Sequence, residues 1–246
     1  MGIKYKFNEN FFKKWNPQMA YILGYLYADG NLTDARYMRG QYTSVTSIDL
    51  VTIRRIKSLI NSEHTIVPMK ATTPHGSIRY LLRIGSHKLY ADLQKLGLYP
   101  NKSLTIKFPK VPRRFLNHFV RGYFDGDGCV YLWRSKGLTQ KIIVRKLMTI
   151  FTSGSRKFLE GLLRALREKL SLRQNRIYNG NRCFDLRFAT KDSVEVFKFL
   201  YKNTTSSLYL KRKYKRFLEY FILRPTRVDK SIRSIIRYVN HGHVVK

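Results

Sequence analysis

The sequence predicts an α+β protein built from two αββαββα half-domains related by a pseudo-twofold axis. Three observations carry this. Slid by 104 residues, LLRIGSHKLYADLQKLGL from Leu81 falls on DLRFATKDSVEVFKFLYK from Asp185. GYLYADGNL from Gly24 and GYFDGDGCVYL from Gly122 each read as a helix that stops on an acid and a glycine. Strand-like alternation of apolar and polar residues recurs at matching places in both copies. A repeat of this length is no short solenoid period; it implies two related units packed together. The boundaries expected are 1–110, 111–224 and a basic C-terminal tail over 225–246.

The elements follow in the same order in both halves. Asn16 and Pro17 supply an N-cap and a first helical residue, and Pro112 opens the counterpart. Gly30 and Gly128 end these helices, where a left-handed residue is usual. Hairpins are expected over 31–47 and 129–152. Amphipathic helices come next, with Ile53, Ile56 and Ile60 in one half and Phe158, Leu159, Leu162, Leu163 and Leu166 in the other. In the next strands Tyr80, Leu82 and Ile84 alternate with Arg79 and Arg83. Phe184, Leu186 and Phe188 alternate with Asp185 and Arg187. One face is therefore buried and the other polar and basic. Ser86 and Thr190 then stand where a final helix is capped.

Composition narrows the partner. Among 246 residues, 48 Lys and Arg oppose 15 acids, for a formal charge of +33, and 43% hydrophobic residues suffice for a core. The basic residues are spread along the chain and interleave with strand residues, which points to nucleic acid rather than to a membrane surface. No run of about 18 apolar residues offers a membrane span. MGIKYKFNEN has no apolar signal-like core, so an intracellular location is expected: a bacterial or archaeal cytoplasm, or an organelle. Cys129 and Cys183 lack zinc-ligand spacing and are expected as reduced, partly buried thiols. FDGDGCVYL is not a calcium loop, because Lys136 stands where that loop needs Glu. Nor is GDG a dinucleotide site, since its helix precedes the glycines.

Within the motif helices Ala20, Gly24 and Ala28 share one face, as do Gly122 and Gly126 with His118 one turn back. Such a stripe lets two backbones approach. Glycine costs about 1 kcal/mol in a helix interior relative to alanine, so close packing must compensate. Pairing these helices around the twofold axis sets Asp29 beside Asp127. Each acid already opposes the negative end of its helix dipole. Two carboxylates about 5 Å apart repel by about 3 kcal/mol at an effective dielectric of about 20. Divalent cations relieve this, and oxygen-only ligands suit Mg²⁺, with Mn²⁺ or Ca²⁺ able to take the same sites.

ILGYLYADG (residues 22–30) and VRGYFDGDG (residues 120–128) resemble the motif of the LAGLIDADG homing endonucleases, matching its glycine, last acid and closing glycine. Two motifs in one chain resemble the monomeric, pseudosymmetric branch, over about residues 16–222. The resemblance implies saddle-shaped sheets in the DNA major groove and motif helices at the interface between halves. It implies a site-specific DNA endonuclease that hydrolyses both strands of a long pseudo-palindromic site with divalent metal and leaves short 3′ overhangs. Asp29 and Asp127 become the catalytic, metal-binding acids, with the backbone carbonyls of Ala28 and Gly126 assisting. The motif's earlier acid is kept as Asp125, an auxiliary group, but is Tyr27 in the first half.

The resemblance further implies a basic residue near each acid. Lys107 and Lys211 are paired by the 104-residue offset, with Lys102 and Lys213 as near alternatives. Ser47 and Thr152 stand where a polar side chain orients water, or cap the helix that follows. Expected DNA contacts are Arg36, Arg39, Gln41, Lys70, Arg79 and Arg83 in the first half. In the second they are Arg134, Lys136, Gln140, Arg173, Arg176 and Arg187. An alternative of the same fold is an RNA-binding intron maturase. A DNA-binding regulator on an inactive copy is disfavoured, since both acids are present.

Overall fold

The chain is described as a computed structural model over residues 5–38, 40–70, 76–136, 142–173, 175–204 and 208–241. The first half runs α1 (Pro17–Asp29), β1 (Gly30–Ala35), β2 (Gly40–Ser47), α2 (Leu50–Leu59), β3 (Ile66–Met69), β4 (Arg79–Gly85) and α3 (His87–Lys95). The second repeats it with α4 (Leu116–Asp127), β5 (Gly128–Lys136), β6 (Ile142–Ser153), α5 (Arg156–Arg167), β7 (Ile177–Asn179), β8 (Phe184–Phe188) and α6 (Thr190–Tyr201). Two antiparallel four-stranded sheets result, in order β1-β2-β4-β3 and β5-β6-β8-β7. The expected α+β duplication is thus the observed fold. The repeat is kept in register: Leu82 pairs with Val45 and Ile66, and Leu186 with Phe151 and Ile177.

The helix starts have local causes. The Asn16 side chain accepts from Met19 N at 2.8 Å, with Pro17 in the first turn. Pro112 does not open α4 directly; it precedes a 3₁₀ turn, Arg113–Phe115, from which α4 continues. Asp49 caps α2 and Ser155 caps α5, so Ser47 and Thr152 are not the caps. Ser86 caps α3, but Thr190 is the first residue of α6 after an uncapped Ala189. Its Oγ1 instead accepts from Leu147 N at 3.1 Å and ties α6 to β6.

Gly30 and Gly128 are not left-handed. Their φ values are −82° and −101°, in extended backbone. Glycine is needed there for space. A Cβ would stand 2.5 Å from the Leu26 carbonyl oxygen in one case and 2.1 Å from Phe124 Cδ2 in the other. The chain can therefore turn from helix straight into strand, with the acid at the corner.

Every residue of α1 from Met19 to Tyr27 is buried, as are His118 to Asp125 of α4. A helix enclosed on all sides is the central post of a core, and these two pack on each other. A Cβ on Gly24 would lie 2.0 Å from Phe119 O, and one on Gly122 would lie 1.9 Å from Tyr21 O. Around this post the amphipathic α2, α3, α5 and α6 cover one face of each sheet. The other face is open.

Beyond α6 the halves differ. The second adds α7 (Lys211–Leu223), where the first has only a 3₁₀ turn, Lys102–Leu104. The stretch expected as a tail contains α8 (Lys230–His241), which packs on α6 and buries Ile232 and Val239. No helix among the described residues is long and apolar enough to cross a membrane.

Candidate active site and nucleic-acid face

The two acids meet where α1 and α4 end. A Cβ on Gly126 would stand 2.4 Å from Ala28 Cβ and 3.2 Å from Asp29 Oδ2. The C-terminal tips therefore touch, and Asp29 and Asp127 are both half-buried there, near enough for the Asp29 charge to act on Asp127. Burial pushes the Asp127 carboxyl up to about 6, and Asp29 adds to the rise while Lys102 and Lys213 oppose it. Burial also raises Asp29, against the neighbouring Tyr25 hydroxyl and the charges of Lys213 and Lys102. Among the described residues neither carboxylate forms an ion pair. Two acids held close, desolvated and unpaired favour a cation between them.

Two buried lysines approach from opposite halves. Lys102 Nζ donates to Tyr27 O at 2.9 Å and to Ala28 O at 3.3 Å. Lys213 Nζ donates to Phe124 O, Asp125 O and Gly126 O at 2.6, 2.8 and 3.0 Å. They reach carbonyls at the helix ends; of these Phe124 O also accepts from Gly128 N, and the others are carbonyls that the helix ends leave open. Burial lowers both ammonium groups, Lys213 to about 8. Lys107 and Lys211, favoured by the 104-residue offset, are exposed and make no such contact. The offset fails because residues are inserted after α6, so Lys102 and Lys213 are equivalent at a spacing of 111. The carbonyls of Ala28 and Gly126 are thus already hydrogen-bonded to ammonium groups.

Ser47 Oγ accepts from Tyr25 OH at 3.2 Å and from Asp49 N at 3.1 Å. Its counterpart is Ser153, not Thr152: Ser153 Oγ accepts from Ser155 N at 3.1 Å and is a partner of Tyr123. Thr152 is one residue away and so on the other side of the strand. There its hydroxyl donates to Asp185 Oδ1 at 2.8 Å. Tyr25 and Tyr123, each directly after a motif glycine, went unassigned in the sequence although the repeat aligns them. Asp125 is enclosed. Its Oδ2 accepts from Tyr21 OH at 2.8 Å and from Leu210 N at 2.7 Å, and burial raises it to about 6.

No cluster of three or more metal-ligating side chains exists among the described residues. The protein offers two carboxylates. That set suits a hard cation that keeps waters and takes further oxygens from a phosphate.

The open sheet faces carry the expected basic residues in part. Arg79 and Arg83 of β4 and Arg187 of β8 are exposed there. Arg83 lies 3.9 Å over the Tyr42 ring, and Arg187 pairs with Asp185 at 2.8 Å. Lys70, Arg173 and Arg176 are exposed beside the outer strands, and Lys136 at the end of β5. Arg36 is exposed and paired with Asp34 at 2.9 Å. Two residues face the helices instead. Gln41 shares strand parity with Thr43 and Val45 and bonds His87 at 2.9 Å. Arg134 shares parity with Val130 and Leu132 and is ion-paired to Glu219 of α7. Arg39 and Gln140 lie outside the described residues. Cys129, expected partly buried, is exposed, while Cys183 is half-buried.

Residues 114–202 match the LAGLIDADG-like domain family. No curated protein sequence matches the chain. Among solved structures, the homing endonuclease I-WcaI bound to its DNA recognition sequence is similar with a TM-score of 0.58 at 12% identity, over 85% of this chain and 90% of that one. The LAGLIDADG homing endonuclease I-LtrWI bound to target DNA has a TM-score of 0.57 at 12% identity, over 96% and 99%. I-DmoI in complex with DNA and Ca has a TM-score of 0.54 at 18% identity, over 87% and 99%. Its complex with DNA and Mn has a TM-score of 0.51 at 19% identity, over 76% and 98%. At these identities the likeness is one of fold.

Proposed function

We propose that this chain, which carries a LAGLIDADG-like domain and has the two-domain LAGLIDADG fold, is a divalent-metal-dependent, site-specific DNA endonuclease. The observation that carries this is the convergence of Asp29 and Asp127, unpaired and desolvated, between two basic-edged sheets. The sheets bind duplex DNA in the major groove, with Arg79, Arg83 and Arg187 toward base edges and outer lysines and arginines toward phosphates. The chain supplies both motifs, so it acts as a monomer. The similar structures that hold DNA, and DNA with Mn or Ca, support the same reading.

Asp29 and Asp127 would hold Mg²⁺ or a similar cation through their carboxylates, one acid serving each strand, and such an ion when bound would supply Lewis acidity to the attacking water and the leaving oxygen. Lys102 and Lys213 hold the helix tips by their last carbonyls and place positive charge beside the two acids. Tyr25 and Ser47, and Tyr123 and Ser153, form the wall from which a water is oriented. Each strand is cut once across the minor groove, leaving short 3′ overhangs.

A plasmid library incubated with protein and Mg²⁺, then sequenced for breaks, tests this. One recurrent site, cut by the native chain, is expected. Asp29→Asn or Asp127→Asn should abolish double-strand cleavage while binding survives. Undiminished cutting by the double variant would refute the assignment.

A further inference from the structure

The two open sheet faces are chemically unlike at equivalent positions. On the first, strands β1 and β2 present the cross-strand pairs Asn31–Ser44 and Thr33–Tyr42. In the same register on the second, β5 and β6 present Cys129–Ile150 and Tyr131–Met148, followed by Trp133–Lys146. Asn31 and Ser44 in one half are thus replaced by Cys129 and Ile150 in the other, and the tyrosine of the second pair faces Thr33 on the first sheet but Met148 on the second. Tyr131 and Trp133 are each 48% exposed, and Met148 and Ile150 are half-buried. These rings lie on a sheet surface, not in a core.

Cations sit within and beside the patch. Lys146 Nζ is 5.3 Å from the Trp133 ring centroid, and Arg187 pairs across the strands with Ile150. A patch studded with cations, in a chain of charge +33, complements a polyanion better than a protein core or a lipid tail. A duplex DNA major groove presents one apolar group, the C5-methyl of thymine. Duplex RNA offers neither that methyl nor a major groove that side chains can enter.

We infer that the apolar patch of β5 and β6, centred on Tyr131, Trp133, Met148 and Ile150, recognises thymine methyl groups in one half of the DNA site. The inner part of the second half-site is then rich in A·T pairs whose methyls face these strands. The corresponding part of the first half-site is read by the hydrogen-bonding groups of Asn31, Thr33 and Ser44. The inference rests on the proposed endonuclease function and assigns the two halves different reading chemistry.

The test begins with the site recovered from the plasmid library. Thymines of each half-site are replaced in turn by deoxyuridine, which removes only the methyl. In the segment under β5 and β6, binding should weaken about three- to fourfold per methyl removed. In the equivalent segment of the other half-site it should change less than about twofold. Tyr131→Thr with Trp133→Thr, both at exposed strand positions, should erase the difference between thymine and deoxyuridine sites. Equal binding of both sites by the native chain overturns the inference while leaving the endonuclease reading intact. If no DNA site is selected at all, the endonuclease reading falls and the inference falls with it.

Discussion

Gly24 on α1 lies so close to Phe119 on α4 that a Cβ added to it would stand 2.0 Å from the Phe119 carbonyl oxygen. The reciprocal contact, Gly122 against Tyr21 O, is as tight. The obstacle is backbone in both cases, so no side chain can swing away. Gly24→Ala and Gly122→Ala should therefore destabilise the fold by at least about 2 kcal/mol, although alanine favours helix by about 1 kcal/mol. Urea denaturation measures this. Unchanged or raised stability would mean that the helices are not in backbone contact.

Lys213 caps three carbonyls of α4 and Lys102 two of α1. Replacing either by Met leaves two helix-end acceptors without their ammonium donor, at about 1–3 kcal/mol. Cleavage should fall at least about tenfold in each, while site binding stays within about threefold. Lys107→Met and Lys211→Met should change cleavage little. Single-turnover cleavage and filter binding on the selected site separate these outcomes.

In the middle of α4, Arg121 is fully buried and donates to Leu208 O, Leu200 O and His118 Nδ1. Burial, and then Arg121, hold the His118 imidazole down to about 4, so it stays neutral in the fold. The unfolded chain binds this proton at about 6.5. Between those values the unfolded state holds more protons, so stability falls as pH is lowered from about 6.5 to 4. The loss should be about 2 kcal/mol, allowing for partial solvent screening. His118→Asn keeps an acceptor for Arg121 and should show a smaller acid loss in parallel melts at pH 7 and 4.5. Identical acid losses would show that His118 does not carry the effect.

Arg83 and Arg134 should behave differently although both sit on strands. Arg83 is exposed on the open face over Tyr42, whereas Arg134 faces the helices and is paired to Glu219. Arg83→Ala should weaken binding to the selected site by about tenfold. Arg134→Ala should leave affinity within about twofold. Native binding should weaken steeply with salt, by about a thousandfold or more between 50 and 200 mM for six or more phosphate contacts. A flat salt response would count against a nucleic-acid partner.

Much of this architecture is written locally. The duplicated strand pattern at Leu82 and Leu186 survives as matching sheet register, and Asn16 with Pro17 starts α1 as its residue types require. The sites that were misread depend on distances along the chain that local pattern does not measure. Seven extra residues in the second half widen the lysine spacing from 104 to 111, so the partner of Lys102 is Lys213 and not a residue at the 104 offset. One residue of slip exchanges Thr152 for Ser153, because strand side chains alternate sides at every step. Arg134 looked like a sheet cation until its parity placed it under the sheet with Leu132. Gly30 and Gly128 were expected for a left-handed turn and are required for room.

The sequence by itself determined that there are two copies of one unit, that each ends its first helix on an acid, and that each sheet buries one face. Repetition and apolar periodicity are properties of neighbouring residues, so they can be read without coordinates. Only the tertiary structure decided that the two acids meet, which lysine reaches each helix end, and which strand residues look toward the open groove. Those are contacts between segments about 75 to 100 residues apart, where the close approach of two glycine-bearing backbones, and not any local preference, selects the partner.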